Sequence, residues 1–226
     1  MSDRDFFREV DEAVRQDRYK ALWDKFGVYI MAGAALIVAA VGGYKAWSYW
    51  QESKARQAGS EFSNALVLQD SGQVDKAREV FAALAEKGPA GYRVLSRFQL
   101  AVSAAQAGDA EKAVALYDAL STDASTDSIL KGLAIIQAAT LRLETADYAE
   151  MERRLKGLID ADSPWRYSAR ELLGLSAYRL KNMPEAEKQF SELLADQATP
   201  ANLRERADMM LAVIVGAPQA LSTTAK

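Results

Sequence analysis

Ser128 and Lys131 stand in an S-x-x-K spacing, the pairing in which a lysine amine activates a serine nucleophile. The S-D-N and K-T-G elements that complete such a site are missing. Ser128 also closes the stretch TDASTDS just before a helical run, where serine and aspartate act as caps. The chain holds no histidine and no cysteine. The commonest general base and metal ligand is therefore absent, and so is any disulfide, haem attachment or thiol nucleophile. Neither G-x-x-x-x-G-K, nor G-x-S-x-G, nor G-x-G-x-x-G after a strand occurs. Glu150, Glu152, Glu185 and Glu187 lie in helical runs rich in Lys and Arg and read as solvated faces. The reading is of a non-enzyme with no catalytic, cofactor or metal site and no small-molecule substrate. A net charge of −3 without a long basic run argues against a nucleic-acid partner.

With chemistry set aside, what the elements position is surface. Residues 28–44 form a run of 17 without a charge. As a helix it covers about 25 Å, short of the roughly 30 Å bilayer core, so its flanks must help. Trp23, Phe26 and Tyr29 stand on one side, and Tyr44, Trp47, Tyr49 and Trp50 on the other, as in aromatic belts at two membrane interfaces. Lys45 can extend its stem and keep its ammonium among headgroups. A signal peptide needs a short basic start and a small-residue cleavage site. Here 27 residues with seven acids and six bases precede the run, and AWSYW follows it. The sequence thus predicts a single transmembrane helix over 27–50. Within it Ala35, Ala39 and Gly43 recur every four residues, either a face for close helix contact or lipid-facing filler. Residues 1–26 read as an amphipathic helix, capped by Ser2 or Asp3, with Phe6, Val10 and Val14 on one stripe and Phe7, Leu22 and Phe26 beside it. That stripe suits either a membrane or partner surface, or loose packing of a solvated helix. Arg15, Arg18, Lys20 and Lys25 before the span, against Lys45, Lys54 and Arg56 after it, favour a cytoplasmic N-terminus. Past Trp50 no proline occurs before Asp70, and the helix is expected to run on to about there.

The rest repeats itself. GQVDKAREVF (72–81), GDAEKAVALY (108–117), ADYAEMERRL (146–155) and KNMPEAEKQF (181–190) align on Ala77, Ala113, Met151 and Ala186, spaced by 36, 38 and 35 residues. Four positions on stand Phe81, Tyr117, Leu155 and Phe190; seven on stand Leu84, Leu120, Leu158 and Leu193. Twelve positions upstream stand Ala65, Ala101, Ala139 and Gly174, small enough for two helices to cross closely. This period and pattern is the signature of a tetratricopeptide helical-hairpin array. Pro89, Pro164 and Pro200 fall between units, and Pro184 falls in a first helical turn. The predicted fold is all-α: one transmembrane helix, then a tetratricopeptide-like solenoid of about four degenerate repeats over 51–226, with a closing helix near 201–215.

The opening FFREVDEAVR…LWDKFG, the span with YKAWSYW, and GPAGYRVLSRFQLA ahead of the degenerate repeats resemble the YfgM-like single-pass tetratricopeptide proteins in their alphaproteobacterial version. Tyr92, Leu95, Leu100 and Ala101 are where that family's Y-x-x-L…L-A stretch matches. The resemblance implies an ancillary subunit of the SecYEG translocon: an inner-membrane protein with a periplasmic array, whose partners are the translocon, periplasmic chaperones and exported clients. This chain departs from the family by a longer, more aromatic N-terminal helix.

In such arrays the first helix of each hairpin lines the concave side. That assigns the groove to Phe62 and Leu66, Phe98 and Val102, Ile136 and Thr140, Leu175 and Tyr178. The lining is apolar, and Arg179 with a few neighbours is too little for a carboxylate clamp. The groove either holds unfolded segments or is filled by the closing helix through Met209, Met210, Leu211, Val213 and Ile214. Two functions follow: a chaperone-like scaffold at the export site, or a structural adaptor for outer-membrane or cell-wall assembly.

Overall fold

A computed structural model describes the backbone of residues 3–161 and 163–223, and the side chains of residues 20, 23–161 and 163–216. Among these residues every regular element is a helix: α1 (Asp3–Asp70), α2 (Val74–Lys87), α3 (Ala90–Gln106), α4 (Ala110–Thr122), α5 (Ser128–Arg142), α6 (Tyr148–Asp160), α7 (Arg166–Arg179), α8 (Met183–Ala195) and α9 (Ala201–Thr223). The closing helix thus runs on well beyond the expected 215. The chain divides into two units, Met1–Arg56 and Gln57–Lys226. In the first, Val28, Tyr29, Ile30, Met31, Leu36, Ile37, Val38 and Val41 are all exposed. This stretch of α1 is long and apolar enough to cross a membrane. Ser2 and the side chains of Phe6, Phe7, Val10, Val14 and Leu22, which carry the cap and stripe expected for residues 1–26, lie outside the described residues.

In the second unit the end of α1 packs on α2 through Phe62, Ala65, Ala77 and Phe81, and α3 pairs with α4, α5 with α6, and α7 with α8. The turns have a local cause. Gly72 and Gly108 adopt φ of 81° and 82°, the left-handed conformation that ends a helix at no steric cost. The residue after each donates its N–H five residues back, Gln73 to Leu68 O (2.8 Å) and Asp109 to Ala104 O (3.0 Å), which satisfies the last carbonyls of the first helix. Lys181 takes the same place in the fourth hairpin at φ 60°, with Asn182 N–H on Ala177 O at 2.9 Å. The next helices start on capping side chains: Asp109 accepts from Lys112 N–H, Asp147 from Glu150 N–H and Asn182 from Glu185 N–H. Asp127 caps α5, so Ser128 is its first helical residue rather than its cap.

The periodic positions form the core. Ala65, Ala101 and Ala139 on the first helices have no exposed surface, and Phe81, Tyr117, Leu155 and Phe190 on the second helices are buried opposite them. Phe81, Leu155 and Phe190 each contribute roughly 1.5–3 kcal/mol by leaving water. Gly174 takes the alanine's place against Phe190, where even a Cβ would stand 3.0 Å from the ring. Glycine serves two other close approaches. Gly59 leaves room for the Tyr92 hydroxyl, and Gly132 for the Trp165 indole, whose Nε1–H donates to Ile129 O at 2.9 Å. Trp165, next to Pro164, thus clamps α5 from the following loop.

Charge joins the second and third hairpins. The Arg154 guanidinium donates to Asp118 at 2.6 and 3.1 Å and to Glu150 at 3.1 Å. Glu150 also accepts twice from Arg142, at 3.1 and 3.2 Å, and Arg142 reaches Glu111 at 2.5 Å. Glu150 is therefore the centre of a network across α4, α5 and α6, and not the solvated acid its sequence context suggested. The Arg142 hydrogen bonds hold its carboxyl below the usual range against the opposing effect of burial, and Arg154 adds to them. Arg97 likewise holds Asp123 far below the carboxylate range.

Three outcomes follow. Lys181→Gly relieves a left-handed conformation and should raise stability by about 0.5–1 kcal/mol in chemical denaturation. Gly132→Ala pushes against Trp165 and should lower stability by about 1–3 kcal/mol despite better helix propensity, with a red shift of Trp165 fluorescence in a chain whose other tryptophans are replaced by phenylalanine. In the network Arg142 and Arg154 lower the pKa of the Glu150 carboxyl. Its contribution is therefore complete above the unfolded pKa of about 4, and is lost as pH falls through the folded value. Thermal stability should hold between pH 7 and 5 and drop below 4; Glu150→Gln should cost about 1 kcal/mol at pH 7 and flatten that acid limb.

Candidate functional site

The eight positions assigned to the groove all lie on the first helices, and seven of them are half-buried. Phe62 packs edge-on to Phe81, with ring centroids 5.4 Å apart, and lies 5.9 Å from Tyr92. Leu66 joins the same cluster. Phe98 stands 5.8 Å from Tyr117. Ile136 packs on the Met151–Leu155 cluster, and Leu175 and Tyr178 on Phe190. Val102 is half-buried on α3, and Thr140 alone of the eight is exposed, its hydroxyl donating back to Ile136 O at 2.8 Å. These side chains have one foot in the core, so they are packing residues as well as candidate contacts. Tyr92, Leu100 and Ala101 share that character: the first two are half-buried and Ala101 is fully buried, while Leu95 is 39% exposed.

The closing helix packs on α8 and α7. Leu203, Ala207 and Ile214 are buried there, with Met210 and Leu211 partly buried beside them, while Met209 and Val213 stay exposed. It seals the fourth hairpin next to Leu175 and Tyr178.

Polar groups near this surface already have partners. Arg179 donates to the Ala146 carbonyl, tying α7 to the loop before α6 instead of waiting for a carboxylate. Glu185 accepts from Gln189 (2.7 Å), Tyr148 (3.1 Å) and Lys188 (3.2 Å). Burial pushes its pKa up, but those donors outweigh it and the carboxyl stays ionised. Burial, and then the Glu185 charge, raise the Tyr148 hydroxyl well above its ordinary value. Among the described residues no group of acidic side chains is placed to hold a metal ion. Among the described residues of this surface no side chains are paired as nucleophile and base.

At the C-terminal edge of the apolar stretch of α1, Trp47 and Trp50 rings lie 5.4 Å apart, the Lys54 ammonium sits 3.7 Å over Trp50, and Arg56 lies 5.9 Å over Tyr49. Ala35, Ala39 and Gly43 are exposed, and a Cβ on Gly43 would meet nothing. The ion-pair network and the Trp165 clamp escaped the sequence reading. The i,i+4 pair of Glu150 and Arg154 on α6 was the one local signal of the network; Asp118, Arg142 and the Trp165–Ile129 contact lie at separations that single-helix spacing does not connect.

The whole array, with part of α1, matches a family model. Residues 20–217 fit the model of the tetratricopeptide repeat-like domain. No curated protein and no solved structure matches the chain. A match over that length, on a fold whose periodic positions are the buried ones, means that the chain belongs to the tetratricopeptide repeat-like domain family.

Proposed function

We propose that the chain is a membrane-anchored protein-contact scaffold, an ancillary subunit at a Sec-type translocon of the bacterial inner membrane. One observation carries this reading: a hairpin array of a protein-binding family follows a helix whose apolar side chains stand exposed over a length fit for a bilayer. In it, residues 1–26 are cytoplasmic, 27–50 span the membrane, and 51–226 form a periplasmic array. Its partners are the translocon, periplasmic chaperones and exported chains, met along Phe62, Leu66, Phe98, Val102, Ile136, Thr140, Leu175 and Tyr178. Ala35, Ala39 and Gly43 offer a second face, toward another helix in the membrane. The translocon assignment rests on the resemblance of the N-terminal region and on the order of anchor and repeats. The lack of any nucleophile–base or metal-holding cluster among the described residues favours contact over catalysis.

Packing of Phe98 on Tyr117 makes Phe98→Asp a poor probe, since it would unfold as readily as it would unbind. Thr140 is the better position. A photoreactive side chain there, in the full chain in living membranes, should crosslink to translocon subunits and to exporting polypeptides. Adducts confined to cell-wall or outer-membrane assembly proteins would instead establish the adaptor function. A reporter active only in the periplasm, fused after Lys226, should be active; an inactive fusion that is active in the cytoplasmic format reverses the topology.

A further inference from the structure

The repeats permit a comparison of equivalent recesses along the array. Between α4, α5 and α6, the positions offset from the repeat reference by +5, −9, −1 and +3 are Asp118, Arg142, Glu150 and Arg154. Their side chains fill the recess and neutralise one another. Between α2, α3 and α4 the same offsets give Ala82, Ala104, Lys112 and Leu116. At these four offsets no arginine or acid stands, and a trough of about 380 Å³ remains, lined by the three apolar side chains and Leu100, with Asp109 also on its wall. Lys112 stands where Glu150 stands in the next recess. Its ammonium has no ion pair or hydrogen bond among the described residues; only its backbone N–H is engaged, by Asp109. Arg78 lines the same trough from α2, paired among the described residues with Asp75, at 2.9 Å, through an exposed contact that contributes little.

We propose that this trough is a docking site for a partner segment that brings a side-chain carboxylate flanked by apolar residues. The carboxylate meets Lys112 and Arg78, as Arg142 and Arg154 meet Glu150, and the apolar residues cover Ala82, Ala104 and Leu116. The charge reversal at one repeat offset sets the sign of the ligand, and the missing side chains set its apolar bulk. The site lies apart from the eight first-helix positions. It deepens the contact-scaffold reading and rests on it, by adding a second surface that is selective for acidic segments.

The test uses the full chain in lipid nanodiscs with methyl-labelled alanine and leucine, titrated with acetyl-Leu-Glu-Leu-amide and with acetyl-Leu-Gln-Leu-amide. The glutamate peptide should shift the Ala82, Ala104 and Leu116 methyl signals at millimolar concentration, and the glutamine peptide should need about fivefold more. Lys112→Gln, a change at an exposed position, should erase the difference between the peptides. Equal binding of both peptides by the native chain, an effect of the glutamate peptide that survives Lys112→Gln, or no shift at these methyls with either peptide would each overturn the site. The fourfold variant Ala82→Asp, Ala104→Arg, Lys112→Glu, Leu116→Arg copies the neighbouring network into the trough and should abolish binding with helical content unchanged; binding retained in that folded variant also overturns it. If the fourfold variant does not fold, the Lys112→Gln comparison decides. Loss of this site leaves crosslinking from Thr140 intact, whereas failure of the scaffold reading removes those crosslinks whatever the peptides do.

Discussion

Everything in the array depends on one steric condition: where two helices of a hairpin cross, one side has almost no side chain and the other has a large one. Ala65, Ala101, Ala139 and Gly174 let the second helices come close, and Phe81, Tyr117, Leu155 and Phe190 fill what is left. Interiors are packed as densely as organic crystals, so neither partner can change size alone. The condition explains why the sequence keeps this pair of positions when nearly all else in the repeat drifts. It also explains why Met151 can replace alanine at the reference position, since a flexible thioether adapts to the gap it is given.

With the helix pairs fixed in this way, the rest of each repeat is free to differ, and it does. The first two hairpins end their first helix on glycine and the fourth on a strained lysine, while the third uses a longer loop capped by Asp147. Between hairpins the variation is chemical: an ion-pair network joins the second to the third, an indole clamp from Trp165 adds to the hold on α5, and the closing helix covers the last. A repeat protein is stable as the sum of its units and their interfaces, so interfaces of different chemistry let one end of the array remain open while another is tied shut.

Function follows from what is left over. A family whose members generally bind proteins and a helix that exposes its apolar side chains both direct attention to surfaces. In the proposed reading α1 contributes location and the array contributes contact. Because the first-helix apolar residues are partly committed to the core, binding along that face would have to use side chains that also hold the fold. That coupling favours broad, weakly selective contacts over a deep specific pocket.

The sequence by itself determined the helical class, the order of the hairpins and the periodic core positions. All three are local or periodic properties: a spacing near 36 residues, glycine where a left-handed turn is needed, and apolar residues at fixed offsets. The same holds for the apolar run in α1, which composition alone reveals. The sequence could not show how residues far apart in the chain meet. Glu150 looked like one more acid on a charged helix until α4 and α5 brought Asp118, Arg142 and Arg154 into one recess. Arg179 looked available until the loop before α6 offered it a carbonyl. Phe98, read as groove lining, also packs beside Tyr117, with ring centroids 5.8 Å apart. Periodicity says which side of a helix is buried, but which side chains finally touch is set by the neighbouring helix, and that only the tertiary structure decides.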